Sequence, residues 1–295
     1  MFGRTSSARI FFLFKMSTDF RLLKYTGSFS DPRIAFIRSL SKKKAAEESG
    51  CFFIEGERAI SEVPAESGNV KTVVVSRGFI DGIDANPGRF SMLSGLERSG
   101  AEFVAVTDKI FASLSGTVTP QGIGAVIRRP DNISPEALPA TLSRILVLEN
   151  VQDPGNVGTC IRTADAFGFD AVICSDNCAD VYNPKVLRST VGSLFHIPVI
   201  QFRGGIFKLC SILKSKGITV FGADPRGGIN SSSPEFNAVK AAVIIGNEAN
   251  GLSDSARAVS DKLVSIKMDG NAESLNAAIA ASVLMYELTH KKLES

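Results

Sequence analysis

The chain has 295 residues, 44% hydrophobic and 21% charged, with a formal net charge of +3. These are values of a soluble globular protein of one large domain or two ordinary ones; no repeat, low-complexity tract or run of 18 apolar residues points to a solenoid, a disordered chain or a membrane span. Charge is unevenly spread, since residues 1–50 hold ten Lys/Arg against four Asp/Glu, a basic end that suits phosphate contacts and equally an ordinary solvated helix face.

Residues 1–31 read as a poorly ordered N-terminal extension. Its apolar run Ile10–Phe14 is too short for a span or signal core, and the stretch before Met16 reads as a leader. Residues 32–48 are expected to form a basic amphipathic helix with Ile34, Ile37 and Leu40 on one face. A strand at 52–54, a helix at 55–63, a β-branched strand at 70–75, a helix near 89–99, a strand at 103–106, a helix at 108–114 and a strand at 122–127 follow. Residues 32–127 thus make a small α/β unit. Pro130, Pro135 and Pro139 mark 128–143 as an extended linker.

From residue 144 to 295 a second alternation begins. Strands are expected at 145–148, 171–174, 195–200, 218–221, 242–245 and 264–266, and helices at 156–167, 184–191 and 206–216, with a closing helix at 275–291. Strands alternating with helices imply a mostly parallel sheet covered on both faces. The five cysteines, Cys51, Cys160, Cys174, Cys178 and Cys210, read as reduced thiols of a cytoplasmic protein. With His196 and His290 far away in sequence, no metal site is expected.

Ligands of such sheets bind beyond the carboxyl ends of the strands, and three loops there are rich in glycine and polar groups. In the first, Glu149–Gly158, Asn156 reads as a helix cap, and Arg162 falls on the helix face shared by Gly158 and Asp165. An Arg near a helix N-terminus opposes the dipole; it reads either as a phosphate fork or as a surface partner of Asp165. The second, Ile245-Gly246-Asn247-Glu248-Ala249-Asn250-Gly251, is a turn tight enough to bring backbone against a ligand. In the third, Ile266–Asn276, Ser274 reads as the cap of the closing helix. Asn276 is poorly explained by helix propensity and reads as a hydrogen-bonding group.

Each loop alone is ambiguous, but their order is specific. Asn156, Gly158 and Arg162 with the Ala164–Gly168 tail, the Gly246–Gly251 turn and the Ile266–Asn276 run resemble the three ordered motifs of the SpoU (TrmH-like) methyltransferases of the SPOUT superfamily. The stretch Asn183–Arg188, with Gly192 and Pro198, is similar to that family's middle segment. Phe53–Glu57 and Pro120–Gly122 resemble its N-terminal RNA-binding domain. Ala249, Lys267 and Ala277 replace the family's usual Gly, Pro and Val.

The resemblance implies an α/β fold with a C-terminal trefoil-knotted parallel-sheet domain and a smaller, L30e-like N-terminal domain. It implies S-adenosylmethionine as cofactor, near Gly222, Ala223, Ile245, Gly246, Asn247, Gly251, Ile266, Met268 and Leu275. It implies methyl transfer to a ribose 2′-hydroxyl of RNA, ribosomal rather than transfer RNA, by a homodimer with sites at the subunit interface. Arg162 is then central, with Asn156, Glu248, Ser274 and Asn276 positioning it and the ribose, and Glu248 a candidate proton acceptor. Other readings are a non-catalytic RNA-binding scaffold, a transfer-RNA or base methyltransferase, and a Rossmann-type enzyme; the last lacks its glycine fingerprint.

Overall fold

The computed structural model describes residues 19–64 and 68–290; the expected leader before Met16 and the end of the closing helix at Lys291 lie outside the described residues. The N-terminal unit runs β1 (Tyr25–Thr26), α1 (Pro32–Ser39), α2 (Lys43–Ser49), β2 (Cys51–Glu55), α3 (Glu57–Ser61), β3 (Val70–Ser76), α4 (Arg77–Asp81), α5 (Pro87–Arg98), β4 (Glu102–Val106), α6 (Asp108–Leu114) and β5 (Ile123–Arg128). Its sheet has the order β1-β4-β3-β5-β2, with β4 parallel to β1 and β3 and with β5 antiparallel to β3 and β2.

Two expectations are corrected here. Residues 20–26 are not a loose extension: Phe20 is fully buried and β1 pairs with β4 through Tyr25 and Ala105. The single helix expected over 32–48 breaks at Leu40–Lys42. The Ser39 and Ser41 hydroxyls donate to the Phe36 and Arg38 carbonyls at 2.6 and 2.9 Å, competing with the helical ladder.

Residues 129–143 are docked rather than loose. Leu138 is 4% exposed in the core under the second sheet, and Asn132 pairs with an edge strand of that sheet (below). The second unit runs β6 (Arg144–Leu148), α7 (Pro154–Ala166), β7 (Ala171–Cys174), α8 (Pro184–Thr190), β8 (Val199–Gln201), α9 (Ile206–Ser215), β9 (Thr219–Ala223), β10 (Ile229–Asn230), β11 (Ala241–Ile245), α10 (Asp254–Val259), β12 (Lys262–Ser265) and α11 (Ala277–His290). Every pairing is parallel, in the order β10-β12-β9-β11-β6-β7-β8. The β6, β7, β9 and β11 segments are almost wholly buried, the near-continuous apolar strands of a sheet covered on both sides. The strand expected over 195–200 is only three residues long, because Pro198 has no N–H for the ladder; its carbonyl still accepts from Val172 at 3.0 Å.

No helix among the described residues is long and apolar enough to cross a membrane. The two units share core: Leu187 and Leu194 of the second pack into the cluster of Phe52, Ile60 and Val63. His196 bridges the seam, its Nδ1 2.8 Å from Asp165 and its Nε2 3.0 Å from Glu62. The hydrogen bond to the Asp165 carboxylate raises its pKa; burial opposes this, and Glu62 adds a further, smaller rise. A raised value favours the folded state fully below about pH 6.5, and that support fades as pH climbs through the folded-state value. The thermal midpoint of His196→Gln is therefore expected to lie below wild type near pH 6 and to converge on it at high alkaline pH. A constant gap across a pH series of melting curves would exclude this latch.

Candidate active site

β6 and β11 lie side by side, Leu148 against Ile245, so the loops leaving them start together. Here the sheet changes direction: β7 and β8 extend it beyond β6, while β9, β12 and β10 extend it beyond β11. Crevices at such switch points are where parallel sheets take ligands. Glu149, 3% exposed, accepts the Ser253 N–H at 3.0 Å and its hydroxyl, pinning the first loop to the second. Asn247 donates to the Asn150 carbonyl at 2.9 Å.

α7 is capped by Asp153, which accepts the Asn156 N–H at 2.9 Å, with Pro154 at the first helical position. Asn156 is thus not the cap expected from sequence but lies in the first turn, its side chain not engaged in capping. Its Nδ2 donates to Glu248 at 2.9 Å and its Oδ1 accepts from Asn276 Nδ2 at 3.0 Å. One chain of side-chain hydrogen bonds, Glu248–Asn156–Asn276, therefore joins all three loops. Ser274 is not the cap of α11 either. Asn276 takes that role, its Oδ1 accepting the Ala278 and Ile279 N–H groups at 2.9 and 3.3 Å. Its two ends do two jobs, capping a helix and holding Asn156.

Glu248 also accepts the backbone N–H groups of Gln152 and Asp153 at 3.3 and 3.2 Å. Burial works against its charge, but the hydrogen bond from Asn156 and those from the backbone prevail and hold its pKa below the ordinary glutamate value. A carboxylate so occupied is a poor proton acceptor, and its geometry is that of an anchor.

The second loop closes on itself. Asn247 and Gly251 exchange both backbone hydrogen bonds at 2.9 Å. Gly251 has φ +66°, and a Cβ at Gly246 would lie 2.3 Å from the Gly251 carbonyl. Ala249 keeps negative φ, so an alanine fits there without strain.

Under this turn opens a cavity of about 800 Å³. Of the expected cofactor residues, Ala223, Ile245, Gly246, Asn247, Gly251, Ile266, Met268 and Leu275 line it, and so do Glu248 and Ser274. Gly222 does not: it packs beneath, where a Cβ would meet the Ser260 hydroxyl at 2.6 Å. Asp224, Arg226, Arg257 and Glu273 also line the cavity and were not singled out from sequence. Asp224 is 2% exposed, grips the Arg257 guanidinium and accepts the Arg226 N–H at 2.9 Å. Its signal was an acid directly after a buried strand, which chemistry alone does not distinguish from a turn residue.

Arg162 does not line this cavity. It lies exposed on α7 between Gly158, which packs against Ser189, and Asp165, which is held by His196. Its side chain makes no ion pair or hydrogen bond among the described residues, so pairing with Asp165 does not account for it. Beyond the same helix, α11 presents Ile279 and Tyr286, 52% and 50% exposed and seven positions apart, with Phe167 edge-on to Tyr286.

The fit to a nucleoside-based cofactor rests on this lining. An apolar wall of Ile245, Ile266, Met268 and Leu275 suits a flat base, the tight turn offers backbone at close range, and charged groups stand at one side. No group of His, Cys, Asp and Glu among the described residues could hold a metal ion.

Residues 143–286 match the model of the SpoU rRNA Methylase family, and residues 31–125 that of the MRM3-like substrate binding domain. The chain is 35% identical over 267 residues to the 23S rRNA (guanosine(2553)-2′-O)-methyltransferase RlmP of Bacillus subtilis (strain 168), covering 90% of this chain and 99% of that protein. Among solved structures it resembles the SpoU methyltransferase AviRb of Streptomyces viridochromogenes in complex with the cofactor AdoMet (TM-score 0.74, 28% identity, 87% and 96% of the two chains). The fold is also that of an AdoMet-bound rRNA methyltransferase from Sinorhizobium meliloti (TM-score 0.78, 24% identity, 90% and 96%).

Proposed function

Because the chain belongs to the SpoU rRNA methylase family, we propose that it transfers the methyl group of S-adenosylmethionine to a ribose 2′-hydroxyl of ribosomal RNA in the cytoplasm. The observation that carries this reading is the Glu248–Asn156–Asn276 hydrogen-bond chain, whose Glu248 lines the cavity.

S-adenosylmethionine supplies an electrophilic methyl on a sulfonium, so the protein's task is to align a nucleophile and tolerate charge on its oxygen. Alignment alone can contribute on the order of 7–11 kcal/mol. The cavity under the 246–251 turn holds the methyl donor, with Ala223, Ile245, Ile266, Met268 and Leu275 against its apolar parts. Glu248 and Asn276 fix Asn156, and Ser274 lines the same wall. Arg162 binds the phosphate beside the target ribose and stabilises developing alkoxide charge; guanidinium does not give up its own proton. Glu248 serves as an anchor rather than a base; the 2′-hydroxyl proton passes to solvent water as the C–S bond to the methyl breaks and the sulfur leaves as a neutral thioether.

Arg162, which does not line the cavity of its own subunit, serves that of a second copy in this reading. The face formed by α7 and α11, with half-exposed Ile279 and Tyr286, is the surface we assign to pairing with a second copy. The path from β11 through β12 to α11, which returns against α7, supports a trefoil-knotted chain. We divide the chain into an RNA-binding unit over 32–127, to whose sheet β1 and the end of β5 also belong, a connecting segment ending at 143 and a methyltransferase unit from 144 onward.

Calorimetry with S-adenosylmethionine, followed by transfer of radiolabelled methyl to ribosomal RNA, tests this reading. Saturable binding and label in ribose-methylated nucleosides are expected. A protein that binds RNA yet takes up no cofactor would instead be a scaffold.

A further inference from the structure

The seam between the two units carries chemistry that methyl transfer does not use. Arg129 leaves the end of β5, and its guanidinium lies over the Tyr182 ring, 4.4 Å from the centroid. Its side chain is only 15% exposed, yet Nε and Nη2 are buried without a hydrogen-bond acceptor. The nearest carboxylate, Asp180, stands 3.9 Å from Nη2, beyond hydrogen-bonding reach. Buried charged donors left unmade are costly. A planar fork backed by an aromatic ring suits bidentate capture of a phosphate.

Arg129 and Tyr182 both line a cavity of about 530 Å³, to which the second unit adds Arg203 and Lys208. The connecting segment closes it: Asn132 donates to the Gln201 carbonyl at 2.8 Å and accepts the Gln201 N–H at 3.0 Å, fixing the edge of β8. Of the nearby acids, Glu47 lines the cavity and Glu136 lies 3.7 Å from Lys208.

Tyr182 also lines a second cavity, about 440 Å³, that holds Arg38, Arg58 and Arg188. Its one acid, Glu55, is occupied by the Ser115 and Thr117 hydroxyls at 2.7 and 3.0 Å. Val191 on its wall has φ +50°, a left-handed backbone that a β-branched residue keeps only where its surroundings impose it. α8, which carries Arg188, starts beside the catalytic loop, with Lys185 Nζ 3.4 Å from Asp153. Cations therefore run from the methyl-transfer site along α8 and through both cavities, which share the Tyr182 ring.

We propose that this seam is the track for an unpaired stretch of substrate RNA flanking the target nucleotide, with the Arg129 fork closing on a backbone phosphate. The proposal rests on the reading of the chain as an RNA methyltransferase. A small anion would occupy one cavity; six cations spread over two suit a polyanionic strand.

The test uses the full chain and three probes: ribosomal RNA from cells lacking this gene, a single-stranded oligouridylate, and inorganic phosphate. For Arg129→Gln, affinity for both RNAs is expected to fall about tenfold, and the slope of log K against log salt to flatten by about 0.7. KM for RNA rises while kcat, cofactor affinity and the melting midpoint hold. Arg188→Gln is expected to act alike, and Arg129→Lys to keep charge but lose part of the affinity. Unchanged affinity and slope in both Gln variants of a protein that methylates RNA would overturn the track alone. So would competition by millimolar phosphate as effective as that of the oligouridylate. A wild-type protein that methylates no RNA would instead overturn the reading beneath it.

Discussion

Arg162→Ala is expected to lower turnover by about 10²–10³-fold while leaving S-adenosylmethionine binding intact, the loss typical of removing one charge-stabilising donor from a transition state. The side chain is exposed, makes no hydrogen bond or ion pair among the described residues and lies outside the cofactor cavity, so its removal costs the fold little. Arg162→Lys keeps the charge but not the fork, and is expected to fall closer to Ala than to wild type. Steady-state kinetics on both variants, with calorimetry for the cofactor, checks this. Near-normal turnover in the Lys variant would exclude the phosphate-fork role.

The position of Arg162 makes a stronger demand. If it acts across a two-fold interface, co-expressing Arg162→Ala with a variant that cannot bind cofactor should restore about a quarter of wild-type activity, since half of the dimers are mixed and each has one complete site. If Arg162 acted within its own subunit, the mixture would be as inactive as its parts.

Gly246→Ala, assayed at a cofactor concentration that fills the wild-type site but not the weakened one, supplies that second variant and carries the other large effect. The new Cβ would sit 2.3 Å from the carbonyl carbon and oxygen of Gly251 and 2.4 Å from the Leu252 nitrogen. These are backbone atoms of a turn already closed by two hydrogen bonds, so no flexible side chain can yield. Overpacking of this kind costs about 1–3 kcal/mol. Because the turn roofs the cavity, we expect the strain to appear as a loss of cofactor affinity of about 5–150-fold, with far-ultraviolet dichroism unchanged. Wild-type affinity in Gly246→Ala would mean that the cofactor does not depend on this turn.

The alternation of strands and helices could be read from the β-branched runs, because strands buried on both faces leave an unmistakable apolar signal. What escaped was made by tertiary contact. β1 and β10 are two-residue strands that exist only through pairing with β4 and β12. The break between α1 and α2 comes from serine hydroxyls bonding nearby carbonyls. At the site, Ser274 and Asn156 have the chemistry of caps, but Asp153 followed by Pro154 had the better signature, and Asn276 could do two things at once. The motif order marked the cavity's apolar wall. It could not reveal Asp224 and Arg257, whose meaning depends on burial, nor Arg129, whose unsatisfied fork is visible only once Tyr182 is placed against it.

Mapping of 2′-O-methyl nucleotides across total RNA, from cells with and without this gene, tests the central claim most directly. We expect a ribose methyl in ribosomal RNA to disappear with the gene, to return with the wild-type chain and not with Arg162→Ala. Identical maps, or loss confined to a base methyl or to transfer RNA, would contradict it.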